Sequence, residues 1–408
     1  MAIDTPIKKG YKQTELGLIS EDWDVKELRD VADFSNGKAH ENFISNDGDY
    51  IVVNSKFIST EGRVAKYSNE CFSPASTNSI LMVMSDVPNG KAIAKCFLVD
   101  KDNKYTVNQR ICNLKPKIDA KFLFYKINRN PYYLSFDDGV KQTNLKKEDV
   151  LGCKLSIPKE TPEQSAIATA LSNTDILIEC LEKLIQKKKN IKQGAMQQLL
   201  TGKKRLPGFK KQWEKTILGN VAEFKHGYGL FKSDLNDNGS RKCIHYGQLF
   251  TEYKELIGEI KSRTKMNSNN FYSKENDVLM PTSDVTPRGL AIASCIKESG
   301  IILGGGILVI RLNPQYDGLY LSYFITQNKS SILKLVKGST VFHLYASDLT
   351  NLEIIFPELE EQKEITKIIM EMDAEIESLE QKRDKYIMIK QGMMQQLLTG
   401  KIRIHGNN

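Results

Sequence analysis

Long apolar runs are missing from this sequence of 408 residues. No stretch of about 18 consecutive apolar residues occurs, which a membrane-spanning helix would require. The first ten residues also lack the apolar segment of a secretory signal. We therefore expect a cytoplasmic protein with no membrane segment.

Patterns typical of disulfide frameworks and metal sites are lacking as well. None of the seven cysteines belongs to a C-x-x-C pair, and the five histidines show no metal-ligand spacing. An odd number of scattered cysteines is typical of reduced thiols that fill a core. We expect no disulfide and no bound metal.

Catalytic motifs are absent too, although two segments resemble them. Residues 313–316, Asn-Pro-Gln-Tyr, approach the Asn-Pro-Pro-Tyr motif with which amino-methyltransferases grip a base, but Gln replaces the second Pro. We interpret them as a turn that ends a strand. Residues 304–306 form a Gly-Gly-Gly segment, but the Gly-Lys-Ser/Thr of a phosphate-binding loop does not follow. The sequence predicts a non-catalytic chain with no cofactor of its own.

The charge balance is mildly basic. Lys and Arg number 58 against 50 Asp and Glu, which gives a net charge of +8. Such a balance permits nucleic-acid binding without requiring it.

A twelve-residue segment that occurs twice organises the rest of the chain. Residues 192–203, Lys-Gln-Gly-Ala-Met-Gln-Gln-Leu-Leu-Thr-Gly-Lys, match residues 390–401 at 11 of 12 positions. The pattern Trp-x4-Leu-x2-Val that begins at Trp23 likewise reappears at Trp213. The chain is therefore predicted to consist of two related halves with a pseudo-two-fold internal repeat.

Each copy of the segment ends a predicted long helix. The first helix begins at Thr161 and Pro162, a capping residue followed by Pro, and the second begins near Pro357. Apolar residues recur with heptad spacing at Ile167, Leu171, Ile178, Leu181 and Ile185, and at Ile365, Ile369, Met372, Ile376 and Leu379. About 39 residues at ~1.5 Å each give a length of roughly 58 Å. We expect the two helices to pair as an antiparallel coiled coil; two unrelated surface helices on globular cores are the alternative.

Gly194 and Gly392 lie inside these predicted helices, where glycine costs about 1 kcal/mol relative to alanine. Glycine at the same repeat position in both helices suggests close approach of another backbone. A simple kink is the alternative interpretation.

The segments outside the helices predict two mixed α/β domains, so the fold class is α+β. In each, buried strands precede an amphipathic helix, expected at residues 121–128 and 319–326. The predicted boundaries are an N-terminal arm at 1–22, a first domain at 23–158, a central helix at 159–204, a second domain at 205–357, a C-terminal helix at 358–403 and a tail at 404–408.

The helix ends are nearly identical, whereas the domain loops diverge. Residues 50–57 and 108–110 in the first half correspond to residues 244–250 and 304–306 in the second, with different side chains. This contrast suggests one docking surface presented twice beside two different recognition surfaces.

Taken together, these motifs resemble the specificity subunit of Type I restriction–modification enzymes. The resemblance rests on the Trp-x4-Leu-x2-Val opening, the Pro…Glu-Gln helix start and the Lys-Gln-Gly-x-Met-Gln-Gln-Leu-Leu-Thr-Gly-Lys helix end, each present twice. It covers essentially the whole chain.

The resemblance implies two target-recognition domains, each reading one half of a bipartite, asymmetric site in double-stranded DNA. It also implies helices that set a spacer and dock two modification subunits. Those partners would carry S-adenosylmethionine and methylate adenine, and two restriction subunits would add cleavage driven by ATP with Mg.

Candidate DNA-binding residues are polar loop side chains that can reach base edges or phosphates. In the first domain they are Asn54, Lys56, Ser85, Asn108, Gln109, Arg110, Lys141, Gln142, Thr143 and Asn144. In the second they are Tyr246, Gln248, Ser283, Arg288, Ser339, Thr340 and His343. Candidate subunit-docking residues are Gln193, Met196, Leu200, Gln391, Met394 and Leu398.

Two other classes of function remain open from the residues alone. One is a scaffold protein that assembles through its long helices and does not bind DNA. The other is a fused methyltransferase, which the missing cofactor loop argues against. The basic, polar and divergent loops favour DNA binding over pure scaffolding.

Overall fold

The computed structural model of the chain describes residues 9–87, 90–266 and 271–404. These residues form two compact units. Unit 1 combines the described residues up to 182 with those from 382 onward, and unit 2 comprises those between 183 and 381. Each unit therefore contains one globular head, the beginning of one long helix and the end of the other.

The two long helices span Thr161–Leu199 and Leu359–Leu397, and each contains 39 residues. Their first apolar positions are fully buried, as at Ile167 and Ile365. The chain leaves both helices through glycines in the left-handed region, with φ of +70° at Gly202 and +71° at Gly400. The helices begin within two residues of the predicted starts and end five and six residues before the predicted bounds at 204 and 403.

The head of unit 1 contains two four-stranded sheets. The first is antiparallel, with the strand order Cys96–Leu98, Ile80–Val83, Ile111–Pro116 and Ala32–Asn36. The second has the order Tyr105–Val107, Tyr50–Val53, Lys66–Ser68 and Ile44–Ser45, and its first two strands are parallel.

Three strand pairs and several short helices complete unit 1. The pairs are Tyr11–Thr14 with Gly17–Ser20, Trp23–Glu27 with Lys154–Pro158, and Ser85–Asp86 with Thr143–Asn144. The helices are Leu28–Val31, Glu41–Phe43, Ser55–Ser59, Ala120–Ile127, Pro131–Leu134 and Lys147–Leu151. Within the described residues, the predicted N-terminal arm therefore contains a β-hairpin, formed by Tyr11–Thr14 and Gly17–Ser20.

The head of unit 2 repeats this plan. A five-stranded sheet has the order Ala222–His226, Ile307–Leu312, Val278–Pro281, Ser294–Ile296 and Leu256–Ile257. A four-stranded sheet has the order Ser262–Thr264, Arg241–Ile244, Ile302–Leu303 and Phe271–Tyr272. Its two central strands are again parallel.

Smaller elements complete unit 2. Strands Ser283–Asp284, Phe342–His343 and Lys337–Gly338 form one small sheet, and Glu214–Ile217 pairs with Glu353–Phe356. The helices are Leu218–Val221, Lys232–Asp234, Gln248–Thr251, Pro287–Leu290, Gly318–Gln327, Lys329–Leu333 and Ala346–Thr350. Residues 313–316 form the predicted strand-ending turn, in which the Tyr316 N–H donates to the Asn313 carbonyl at 3.0 Å.

The core of each head extends over segments from both long helices. In unit 1, Trp23 and Phe122 pack in one cluster with Ile167 from the first helix and Leu397 from the second. In unit 2, Tyr320 packs with Leu200 and Ile365 in the same way. The heads and the helix ends are therefore held together by buried apolar surface, the dominant favourable term in folding.

Within each unit the two helix segments run antiparallel. In unit 2, Lys188 pairs with Glu375 and Lys192 pairs with Asp373, each with Nζ and the carboxylate oxygen 2.6 Å apart. From Lys188 to Lys192 on the first helix, the partner on the second helix moves back from Glu375 to Asp373, which is the direction of an antiparallel pair. In unit 1, Lys390 pairs with Asp175 at the position that corresponds to Lys192 and Asp373.

The expectation of close backbone contact at Gly194 and Gly392 is wrong. A Cβ atom added to either glycine would meet no described atom within 4 Å outside the helix's own neighbouring backbone. Both residues lie on the exposed side of their helices, and each helix continues through its glycine. The glycines therefore leave open surface.

Candidate nucleic-acid interface

Two parallel strands of unit 1 end side by side and bring two candidate residues together. Val53 and Val107 are register partners, so Asn54 and Asn108 follow them at the same sheet edge. The Asn108 N–H donates to the Val53 carbonyl at 3.1 Å. The Asn54 side chain accepts from the Phe57 N–H at 2.9 Å and caps the helix that carries exposed Lys56.

Gln109 and Arg110 continue this edge and are exposed to solvent. The Gln109 amide donates to the Glu41 carboxylate at 2.6 Å. This hydrogen bond, followed by backbone ones, lowers the pKa of Glu41. Gln109 is therefore held in one orientation, whereas the Arg110 side chain extends from the surface.

A second cluster, from Ser85 and residues 141–144, adjoins the first. The Met84 N–H donates to the Arg110 carbonyl at 3.0 Å, which joins the two clusters directly. Ser85 pairs with Asn144 across two short strands. The Gln142 amide donates to the Ser85 hydroxyl at 2.8 Å and to the Asn144 side-chain oxygen at 3.1 Å.

The members of this cluster differ in access to solvent, and Ser85 is only 8% exposed, so it supports the loop and is not a free base-contacting residue. Lys141 is exposed, and so are Gln142 and Asn144. Thr143 is 6% exposed, and its hydroxyl donates to the Asp137 carboxylate at 3.0 Å. Thr143 therefore supports the loop, and a direct base contact by its side chain would need the loop to open.

Unit 2 has a corresponding edge at the end of its own parallel strands. Ile244 and Leu303 are register partners, so Tyr246 and the glycines 304–306 lie together. Gly306 has a φ of +80°, which favours glycine, and a Cβ atom there would stand only 3.1 Å from the Tyr246 ring. Glycines 304–306 pack against Tyr246. A strand, Ile307–Leu312, follows them directly, and not the helix N-terminus that a phosphate-binding loop requires.

Gln248 does not belong to the exposed surface. Its side chain is 5% exposed. Its oxygen accepts from the His245 N–H at 2.9 Å, and its nitrogen donates to the Ser262 hydroxyl at 2.7 Å. Gln248 therefore fixes the loop that carries Tyr246, and its interpretation as a base-contacting residue is corrected.

The remaining candidates of unit 2 lie on the adjoining small sheet. Ser283 pairs with His343 on the central strand, and exposed Ser339 and Thr340 connect the outer strand Lys337–Gly338 to that central strand. The Thr282 N–H donates to the Gly306 carbonyl at 2.9 Å, which joins this sheet to the Tyr246 edge. Arg288 is exposed on the short helix that follows Ser283.

Two aspartates that the sequence interpretation passed over hold these loops. Asp86 accepts from the N–H groups of Val87, Ala92 and Ile93 at 2.9, 2.6 and 3.1 Å. Asp284 accepts from the Val285 N–H and the Thr286 hydroxyl, both at 2.7 Å. The signal was available, because Ser-Asp followed by Gly occurs in both halves; a side chain on Gly90 or Gly289 would collide with the carboxylate.

The docking candidates at the helix ends divide into two groups. Leu200, Met196 and Leu398 are 0%, 5% and 7% exposed and belong to the cores of the heads, and Met394 is half-buried against the same core. These four apolar residues hold the helix ends in place, and their interpretation as a free docking surface is corrected. Gln193 and Gln391 are exposed and remain available.

The described part of the chain contains neither a cluster of three or more potential metal ligands nor a helix long and apolar enough to cross a membrane.

Comparison with known proteins decides the family. The model of the Type I restriction modification DNA specificity domain matches the chain twice, over residues 20–192 and 210–386. The chain belongs to this family. It is a specificity subunit of a type I restriction–modification system, and DNA target recognition is the role that this membership implies.

Relatives and solved structures agree over nearly the full length. The type I restriction enzyme MjaVIII specificity subunit of Methanocaldococcus jannaschii is 24% identical over 432 residues, which cover 98% of each chain. The S subunit of a type I system from M. genitalium is 16% identical with a TM-score of 0.61, and 92% of this specificity subunit aligns with 96% of that chain. A chain from a study of complex assembly of the type I system has a TM-score of 0.55 at 15% identity, covering 94% of this chain and 99% of that chain.

Proposed function

We propose that this specificity subunit reads a bipartite, asymmetric DNA site, with one half-site read by the head of unit 1 and the other by the head of unit 2. The observation that carries the proposal is the repeated edge with different side chains. Each head joins the ends of two parallel strands to a Ser-Asp loop and a small strand pair through backbone hydrogen bonds. Unit 1 presents Gln142 and Asn144 there, and unit 2 presents Arg288 and His343.

These side chains suit direct readout of base edges. Asn and Gln amides pair with adenine and Arg pairs with guanine in the major groove. Exposed Lys56, Arg110 and Lys141 in unit 1 supply positive charge for the phosphates. Differences between the two sets of side chains would make the two half-sites different in sequence.

We further propose that the long helices pair as an antiparallel coiled coil, related by a pseudo-two-fold internal repeat, and set the spacer between the half-sites. The support is the antiparallel ion pairing inside each unit. Tyr125 donates to Asp175 at 2.7 Å and Tyr323 donates to Asp373 at 2.9 Å, so each head is bonded to the pairing face of its helix at the same repeat position.

The partners follow from this arrangement and from the family. Two copies of one exposed surface, centred on Gln193 with Gly194 and on Gln391 with Gly392, would dock two modification subunits. Those subunits would bind S-adenosylmethionine and methylate adenine in double-stranded DNA, and two restriction subunits would supply ATP- and Mg-dependent cleavage. The chain itself would act in the cytoplasm without catalysing a step.

A methylome experiment tests the proposal. The wild-type chain, expressed with its modification subunit, should produce methylated adenines in one bipartite sequence that is absent without it. Replacing Arg288, Thr340 and His343 together with Ala should relax only one half-site, because a lost bidentate contact costs about 1–3 kcal/mol. The matched variant Gln142→Ala with Asn144→Ala should relax only the other.

Three outcomes would contradict it. Equal weakening of both half-sites by either variant would assign these residues to the fold or the phosphates. A change at the same half-site in both variants would end the division between the heads. No chain-dependent methylation by a complete complex would favour the scaffold alternative.

A further inference from the structure

One loop of unit 2 holds a large apolar side chain in solvent at the edge of the candidate interface. Phe231 is 72% exposed, a larger exposed fraction than that of any other aromatic residue among the described residues. A single exposed apolar residue is common on protein surfaces and needs no explanation. Phe231 differs from an ordinary exposed residue in the backbone conformation of the two residues that precede it.

The chain adopts an unusual conformation immediately before Phe231. Gly229 and Leu230 have φ of +64° and +48°, so two successive residues are left-handed. For a residue with a side chain, this conformation is disfavoured, and it persists only where the surroundings impose it. Leu230 is one of seven described residues other than glycine with a positive φ, and strained residues of this kind cluster at active sites and ligand-binding loops.

The surroundings that impose it are visible. Leu230 is 1% exposed and packs in a small cluster with Cys243 and Ile302. On the other side, the Phe231 N–H donates to the Asp234 carboxylate at 2.6 Å. With Leu230 anchored inward and the next N–H fixed, the Phe231 ring is directed outward.

This loop belongs to the same edge as the candidate DNA-binding residues. The Gly305 N–H donates to the Gly229 carbonyl at 2.9 Å, and Gly306 beside it packs on Tyr246 and accepts from Thr282. Exposed Lys232 follows Phe231 directly. Burial, followed by the positive charge of Lys232, lowers the pKa of His245, the residue that precedes Tyr246.

We infer that Phe231 inserts between two stacked base pairs of the half-site read by unit 2 and opens the stack there. The inference rests on the proposed function and adds a mode of recognition to it. Apolar wedges of this kind partly unstack a base step, so the protein reads how easily that step deforms as well as its hydrogen-bonding groups. Exposed Lys232, which follows Phe231 directly, supplies positive charge for the phosphates.

The corresponding loop of unit 1 differs and offers a control. After Gly37 the chain carries Phe43, whose ring packs edge-on against Phe72 with centroids 4.7 Å apart. Phe43 is therefore 48% exposed with one edge of its ring in contact, whereas Phe231 is 72% exposed. We therefore expect the wedge in unit 2, and Phe43→Ala is the matched variant for Phe231→Ala.

The test uses the full chain assembled with its modification subunits and duplexes of the site found by methylome sequencing. The fluorescent base 2-aminopurine, which brightens on unstacking, is placed at one position at a time through both half-sites. The wild-type complex should brighten it at one step of the half-site assigned to unit 2. Phe231→Ala should remove that signal and weaken binding roughly tenfold, as loss of one stacking side chain does; Phe231→Leu should fall between.

Each other result has a definite reading. A signal that survives in Phe231→Ala with unchanged affinity comes from another group of the complex and overturns the inference alone. A loss of the same signal in Phe43→Ala also overturns it, because the effect is then not specific to this loop. A wild-type complex that binds no DNA overturns the proposed function and this inference together. Since Phe231 is exposed, its replacement leaves the core unchanged, and circular dichroism checks this.

Discussion

Arg205, which follows the first long helix, forms a two-point ion pair with Glu361 at the start of the second. Arg205 Nε lies 2.8 Å from one carboxylate oxygen, and Nη2 lies 2.7 Å from the other. The Trp213 indole N–H donates to the same carboxylate at 3.0 Å. Glu163 and Arg403 repeat the pair in unit 1, where Asp22 also binds the guanidinium.

We expect Arg205→Ala to destabilise the chain strongly. The Glu361 side chain is 0% exposed, so removing its cation leaves a buried carboxylate bonded only to Trp213 among the contacts described above. Breaking such a pair costs about 3 kcal/mol or more. Urea unfolding measures the loss.

The control for this prediction is Lys215→Ala. It breaks an ion pair with Glu353 whose side chains are 64% and 68% exposed. Exposed pairs contribute ~0–1 kcal/mol. Equal losses in the two variants would contradict the assignment of Arg205 and Glu361 as a buried clamp.

Replacing the helix glycines separates stability from docking. Gly194→Ala and Gly392→Ala should each raise the free energy of unfolding by roughly 0.5–1 kcal/mol, because the sites are helical and open. Gly194→Arg with Gly392→Arg should keep the fold but prevent co-purification with the modification subunit. The alanine pair, at the same positions, should still co-purify; binding by the folded arginine pair would exclude this surface as the docking site.

Helix length should set the length of the DNA spacer. Seven residues add about 10 Å at ~1.5 Å each and preserve the heptad seam. Three base pairs have nearly the same length at ~3.4 Å each. Inserting one heptad after Ile185 and another after Leu379 should lengthen the unread spacer of the methylated sequence and leave both half-sites unchanged.

The single insertions serve as controls, since each shifts one helix against the other and should abolish assembly. An active double-insertion complex that methylates the original spacing would show that the helices do not determine the spacer.

Lys126 should make stability depend on pH above neutrality. Its Nζ donates to the Ser156 hydroxyl at 2.9 Å and to the Leu398 carbonyl at 2.7 Å. Burial lowers the pKa of Lys126 to about 8, against 10.5 when exposed. Between these values the unfolded chain binds a proton that the folded chain lacks, so the free energy of unfolding should rise with pH from about 8 to about 10.

Lys126→Met should remove that part of the pH dependence. The difference between wild type and variant, measured by urea unfolding across this range, isolates Lys126 from the tyrosines that titrate nearby. A difference that stays constant with pH, or one that falls, would contradict a lowered pKa for this lysine.

Much of the fold could be predicted, because the internal repeat indicates two related halves and the heptad spacing of apolar residues indicates two long helices. The repeated segment at residues 192–203 and 390–401 contains both helix ends, and strands such as Ile307–Leu312 stand out as apolar runs. The candidate site was harder, because it depends on which loops the sheets bring together. Ser85 and Asn144 are adjacent only through strand pairing, which no local pattern reveals.

The errors have physical causes. Met196 and Leu200 recur in both halves, and recurrence alone does not separate a shared docking surface from a shared core; their burial decides. Gln248 is a polar loop residue like its neighbours, but two hydrogen bonds turn it inward. The glycines at 194 and 392 suggested a neighbour, and the structure shows open surface. Phe231 was missed because a search for polar readers passes over apolar side chains.

The composition of the two units has a consequence for synthesis on the ribosome. Unit 2 is continuous in sequence, so its core can close once residue 381 has emerged. Unit 1 needs Leu397 against Trp23 and Arg403 against Asp22, residues separated by nearly the whole chain. At roughly 5–20 residues per second, the first head waits on the order of 10–60 s for its last segment. The head made first is therefore completed last, and during that interval it is the part of the nascent chain most in need of a chaperone.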